Sequence, residues 1–323
     1  MDEKHSKDAG VSRRTFVKGA LAGSAVLAMG LPQMLHAEES PSNLDSHASF
    51  HSLPPGAIRP EGWVRGHLES QAKLTNVVGD ISWPFSGKYW VGEEENGGWY
   101  AWEQKGYWID GGTRLALLLG DEELLAKMRV PIDYTLAHPS SSGFLGPQFL
   151  EFGEDMFGGL QRWPNIVMYR SMMALADAAP SPNGVQPAEI ADALRRHYLN
   201  DKASYSSGNR NITNLEVVLW CYGKTGDKNL LALAENCWEQ SSKDAEANFQ
   251  AMANRKTVGN GRRRFSHTDL SASRVFANEP IQTHGVSYAE VSKLPAILYL
   301  YNGQEDLVKF AVAAQRRFSI TTC

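Results

Sequence analysis

Hydrophobic positions along this chain recur at helical rather than strand spacing. In WEQKGYWIDGGTRLALLL, residues 102–119, Trp108, Leu115, Leu118 and Leu119 follow a helical period. Gly120 and Asp121 break the run, EELLAKMRVPIDYTLAH resumes it, and Pro131 is expected to kink or split that second helix. HPSSSGFLGP, 138–147, then closes the unit as a loop. The same design, helix, Gly-containing turn, helix, recurs at 214–240 and 288–318. Another pair, NIVMYRSMMALADAA and PAEIADALRRHYL, is separated by the Pro/Gly-rich PSPNGVQP. The pattern predicts four helical hairpins at irregular intervals, with residues 50–100 mostly irregular. Such hairpins, with long Gly- and aromatic-rich connections, suggest an α/α toroid whose helix ends surround a pocket.

The first 37 residues read differently. Arg13 and Arg14, flanked by Ser12, Phe16 and Lys18, precede an apolar Gly/Ala-rich stretch from Gly19 to about Met34, and Ala37 supplies a small residue for cleavage. This resembles the twin-arginine export signal of bacteria, an address rather than an anchor. The apolar stretch is shorter than the roughly 20 residues a bilayer needs. The expected organisation is therefore a signal at 1–37, a linker at 38–52 and one helical domain at 53–323, periplasmic or secreted and free of the membrane once the signal is removed.

Removal of the signal takes away five basic and three acidic residues, which moves the net charge from −4 to −6. A net-acidic chain carries no electrostatic footprint for nucleic acid. GRRRF, 261–265, is the only basic run and reads as a solvated loop. Three cysteines, Cys221, Cys237 and Cys323, do not make a disulfide scaffold or a metal-ligand spacing. Cys221 and Cys237 read as buried thiols.

Candidate chemistry concentrates between residues 83 and 110. Five of the nine Trp lie between 83 and 108, and Trp63, Trp220 and Trp238 are assigned to the core. Aromatics in a Gly-rich connection suit stacking on the apolar face of a sugar, with carboxylates and amides binding hydroxyls. On a helix starting near Trp102, Glu103, Tyr107 and Asp110 share one face at i, i+4 and i+7. Plain packing is the competing reading for this aromatic run. Further candidates stand at helix starts: Arg162 and Trp163 before Pro164, Arg210 and Asn214 around NITN, and His284 before Gly285. Asn211 and Thr213 serve equally well as caps.

LPPGAIRPEGWVRGHLESQ, YWIDGGTRLALLLGDEEL, RWPNIVMYRSMMAL, NLEVVLWCYGKTGD and THGVSYAEVSKLPAILYL together resemble successive blocks of the β-L-arabinofuranosidase family, glycoside hydrolase family 127, over about residues 53–318. The resemblance implies an (α/α)6 barrel followed by β-sandwich domains, and hydrolysis of terminal furanosides with retention. It places Glu103 and Asp110 at the barrel mouth and matches His284 to a histidine that contacts the sugar. Trp99, Glu103, Tyr107, Asp110, Trp163, Asn214 and His284 form the expected substrate-binding set. The family's nucleophile is a cysteine held as thiolate by zinc, with a Glu and two more Cys as ligands and a Glu as acid/base, all after the His-Gly block. After AAQRRF this sequence reads SITTC, and Thr321 stands where a Glu-x-Cys motif would need Glu. The expectation is thus an incomplete toroid that lacks the zinc/Cys half and any catalytic residue, with uncovered apolar helix faces and an unknown oligomeric state. The alternatives are a non-catalytic carbohydrate-binding protein, or a toroidal polysaccharide lyase using His284 with Tyr107 or Tyr288 on an anionic glycan.

Overall fold

A computed structural model describes residues 45–81, 90, 98–153, 160–178, 187–206, 210–253 and 269–321. The expected export signal, Trp83, Tyr89, the basic run and Cys323 lie outside the described residues, as does the side chain of Trp99. Among the described residues regular structure is helical, without strands.

The helices are α1 (Gly62–Ile81), α2 (Gly98–Leu119), α3 (Glu122–Ala137), α4 (Gln148–Phe152), α5 (Trp163–Asp177) and α6 (Pro187–Asn200). A 3-10 turn, Asn211–Asn214, leads into α7 (Leu215–Thr225) and α8 (Lys228–Ala253). The short α9 (Ala272–Phe276) precedes α10 (Gly285–Ser292), α11 (Leu294–Asn302) and α12 (Glu305–Thr321). Helices α2, α5, α7 and α11 pack one on the next, and each also packs against the helix that follows it, α3, α6, α8 and α12. The result is the four expected hairpins in two rows.

Local chemistry explains the hairpins. Gly226 and Gly303 adopt φ of 69° and close α7 and α11 by donating to the Tyr222 and Tyr299 carbonyls at 2.8 and 2.9 Å. That left-handed geometry favours glycine. Asp121 opens α3 by accepting from the Leu124 amide at 3.0 Å. Helix α3 is not split at Pro131: it runs unbroken, and the Thr135 hydroxyl donates to the Pro131 carbonyl at 2.7 Å. Burial of Leu124, Leu125, Met128 and Ile132 on that helix is worth more than the roughly 3 kcal/mol a helical proline costs. Where α2 crosses α5, a Cβ on Gly106 would stand 3.2 Å from Val167 Cβ, so glycine permits the close approach.

Two expectations fail at the start of the fold. Residues 62–81 form a 20-residue helix instead of irregular chain. Trp63 is 83% exposed instead of buried. The one substantial neighbour of α1 among the described helices is α2, which meets its Leu68 and Ala72, while Trp63 sits in the first turn beyond that contact. Trp220 and Trp238 do pack against the main core, and Trp108 bridges both core clusters and donates to the Thr75 carbonyl at 3.0 Å.

Below the start of α5 lies a fully buried polar knot. Arg162 is 1% exposed; its Nε and Nη2 bind both Asp201 oxygens at 2.6 and 2.9 Å, and its remaining donors meet the carbonyls of Leu150, Glu151 and Gln161. Asp201 also accepts from Tyr205 at 2.6 Å. Asn211 spans from the turn to accept from the Arg162 and Trp163 amides at 2.9 and 3.2 Å, capping α5 from a distant part of the chain. This knot fixes the short α4 onto the end of α6.

Candidate functional site

A second polar cluster gathers where α2, α5, the 3-10 turn, α7, α10 and α11 meet. Its centre is Arg210, 8% exposed, with a left-handed backbone at φ 65°. That conformation is uncommon for a residue with a side chain, and such outliers persist where the surroundings over-determine them. The guanidinium donates through Nε to Glu290 Oε2 at 3.1 Å and through Nη2 to the same oxygen. It also reaches the Tyr107 hydroxyl at 3.5 Å and lies 4.6 Å from the Trp163 ring centroid.

Glu290 holds a second cation, accepting from Arg170 Nη1 at 3.4 Å on its other oxygen. Arg170 binds Glu216 Oε2 through Nη2 at 2.8 Å and Nε at 3.1 Å, and Lys293 Nζ meets the same oxygen at 2.8 Å. Beyond it, Arg114 donates to Asp110 at 2.9 Å and to the Arg170 carbonyl at 3.3 Å. Four cations, Arg210, Arg170, Lys293 and Arg114, are therefore committed to three carboxylates, Glu290, Glu216 and Asp110, in one continuous network.

Glu103 stands apart. Its Oε2 is buried and has no hydrogen-bond partner. Burial pushes its carboxyl above the ordinary glutamate value, the nearby Arg210 opposes this, and the Glu290 charge adds to the rise. Burial likewise lifts the Asp110 carboxyl, with Arg114 pulling the other way. For Glu216 burial is outweighed by Arg170 and Lys293, and the carboxyl falls below its ordinary value. Arg210 is disfavoured by burial, yet Glu290 and the Tyr107 contact hold its charge more firmly than in water. Carboxyls with opposite perturbations in one cluster mark a functional candidate.

The expected site residues divide. Glu103, Tyr107 and Asp110 do share one face of α2; Tyr107 and Asp110 join the Arg210 network, Glu103 feels its charges without a bond to it, and Tyr107 remains 40% exposed. Trp163 is buried under the Arg210 guanidinium, so that ring face is covered. Asn214 is wholly buried; its amide donates to the Arg162 and Asn211 carbonyls and its oxygen accepts from Tyr198. It therefore locks the turn rather than facing the cluster. His284 caps α10, its Nδ1 accepting from the Ser287 amide at 3.4 Å, and its ring is exposed six residues before Glu290. Arg170, Glu216, Glu290 and Lys293 escaped notice in the sequence. Their signal is a lone charge inside an apolar helical run, as in NIVMYRSMMAL and NLEVVLW, which demands a buried partner.

The zinc centre does not fit the described residues. Among them no three His, Cys, Asp or Glu side chains converge as metal ligands. Cys221 and Cys237 are free and buried, and burial raises both thiols, Cys237 to about 11, the reverse of what a thiolate nucleophile or ligand needs. No described helix is long and apolar enough to cross a membrane. Comparison with known proteins finds no matching family model, no matching curated protein and no matching solved structure.

Proposed function

We propose that the chain is a glycoside hydrolase-like protein of α/α-toroid type, akin to the non-reducing-end β-L-arabinofuranosidases, which holds a terminal furanoside at the Glu103–Arg210–Glu290 cluster. The observation that carries this reading is the convergence of Glu103, the partly exposed Tyr107 ring and the Arg210 pair on one polar surface. An aromatic face beside fixed polar groups suits a sugar, which presents an apolar face rimmed by hydroxyls. The two-row packing of successive hairpins supports the toroid. The twin arginine at 13–14 supports export to the periplasm or beyond.

Burial raises the two described thiols, and a non-catalytic sugar-binding protein is the second reading of the same cluster. A lyase is less well supported: the Tyr288 hydroxyl is spent on the Ala314 carbonyl at 2.9 Å, and Tyr107 is engaged by Arg210. Titration of the full chain with methyl β-L-arabinofuranoside, followed by Trp fluorescence and product analysis, tests the proposal. Saturable binding without arabinose release is expected. Failure of furanosides to bind would remove the sugar reading, and zinc-dependent release would restore the full enzyme.

A further inference from the structure

The network around Arg210 has one asymmetry that its ion pairs do not explain. Every cation in it, Arg114, Arg170, Arg210 and Lys293, is bonded to a carboxylate, whereas Glu103 is bonded to none and hides one oxygen from both solvent and donors. An ionised oxygen so placed would lack the compensation that buried charge requires. Arg210, the cation whose charge acts on Glu103, is taken up by Glu290. Glu290 takes two donors of Arg210 on one oxygen and Arg170 on the other. It is placed to do so because α10 packs against the turn that holds Arg210.

We propose that Glu290 is the positioning residue of this site: by holding Arg210 and Arg170 it leaves Glu103 without a counter-ion, so that Glu103 meets a bound saccharide as a hydrogen-bond donor to a hydroxyl or ether oxygen. The inference rests on the saccharide reading only for what Glu103 meets; the coupling of Glu290 to Glu103 stands without it. The groups that act on Glu103 are Arg210 from the turn and Glu290 from α10, after burial itself. Tyr107 and the Asp110–Arg114 pair share its face of α2. Arg170 on α5, Glu216 on α7 and Lys293 between α10 and α11 complete the charges of the network, and His284 caps α10. The described residues of α1 and α3, the other helices against α2, bring no charge that moves it. In a neutral donor the proton sits on the carboxyl and is shared with the ligand oxygen, with no bond broken and no co-reactant needed.

The test is a titration of Glu103 in the full chain by carboxyl-labelled NMR, its signal assigned by loss in Glu103→Gln. Glu103 is expected to titrate above the ordinary glutamate range in the wild type, and at least tenfold in proton affinity lower in Glu290→Gln, where Arg210 is released towards it. Glu290→Asp should restore most of the wild-type value. A Glu103 that titrates at or below the ordinary value, or one that ignores Glu290→Gln, overturns the proposal. If Glu290→Gln does not fold, Arg210→Gln reads the same coupling from the other side: the proton affinity of Glu103 should rise, and no change overturns the idea. A binding profile for methyl β-L-arabinofuranoside then separates the two readings. Affinity that falls as Glu103 ionises supports both. Binding that is indifferent to that titration sinks the donor role alone, and absence of binding sinks the saccharide reading while the Glu290 coupling is judged by NMR.

Discussion

Arg162 and Arg210 occupy matching places, each just ahead of a first-row helix and each buried against carboxylate and aromatic groups, yet the two clusters are built to opposite ends. Around Arg162 each guanidinium nitrogen has an acceptor, both Asp201 oxygens are used, and an amide from Asn211 closes the gap to α5. Around Arg210 the backbone is in the left-handed region, a tyrosine is left partly in solvent, and a buried glutamate oxygen is left without a donor. A polar cluster that serves the fold closes on itself. One that serves a ligand leaves an acceptor, a ring or a strained backbone over. Incomplete satisfaction, rather than burial or charge, is what distinguishes the Arg210 cluster from the Arg162 cluster.

The largest expected effect comes from opening the closed cluster. Arg162→Met leaves Asp201 buried without its counter-ion, with only Tyr205 and the Ala203 amide still donating to it, and the loss of one partner from such a pair costs about 3–5 kcal/mol. Urea unfolding should show that loss in full, while Arg210→Met should cost only about 1–3 kcal/mol, because Glu290 keeps Arg170. Equal costs for the two variants would erase the distinction.

Acidification sharpens it next. His197 is fully buried beside Tyr169 and Tyr205 and accepts from the Leu145 amide at 3.2 Å. Burial dominates and lowers its pKa to about 4, with Asp201 opposing and Arg162 assisting. The unfolded chain then binds a proton that the folded chain refuses, so stability rises with pH between about 4 and the ordinary histidine value near 6.5. The contribution is whole above that value and is lost as pH falls towards 4, on the order of 3 kcal/mol in all. Unfolding measured from pH 7 to 4 should show this slope, and His197→Gln should flatten it. A slope unchanged in the variant would assign acid sensitivity elsewhere.

How much of this was legible beforehand follows from what sequence patterns encode. The hairpins were legible because apolar period and glycine turns are local: Gly226 and Gly303 stand where a left-handed residue is needed. Glu103, Tyr107 and Asp110 were legible as one face because helical spacing alone places them together. Helix α1 is hard to see in the sequence because the aromatic and Gly-rich stretches around it hide a polar helix with one narrow contact. Trp63 was misplaced by hydrophobicity, which measures what burial would gain and not whether a neighbour exists. Glu290 and Arg170 were invisible for a different reason. Their partners are 80 and 120 residues apart in sequence, and no local pattern reports an ion pair across three helices. Asn211 shows the same limit, since its cap serves a helix that begins 48 residues earlier.

The smallest effect on stability is expected where the largest effect on binding is. Glu103→Gln keeps the shape of the side chain and removes an ionisable group whose buried oxygen already lacks a partner. Little is lost from the fold: the neutral amide avoids the desolvation that disfavours the carboxylate, so stability at pH 7 should change by less than about 0.5 kcal/mol or rise. Binding behaves differently. If Glu103 donates one hydrogen bond to a furanoside oxygen, the amide can still donate, but its group is no longer switched by pH. Affinity for methyl β-L-arabinofuranoside should therefore lose its pH dependence in Glu103→Gln while staying within about tenfold of the wild type, the worth of one neutral hydrogen bond. Asp201→Asn makes the counterpart in the closed cluster, where the same loss of charge strands Arg162 and should destabilise the fold without touching the pH dependence of binding. If instead Glu103→Gln unfolds the chain as Asp201→Asn does, Glu103 belongs to the architecture, and the open cluster is open only in appearance.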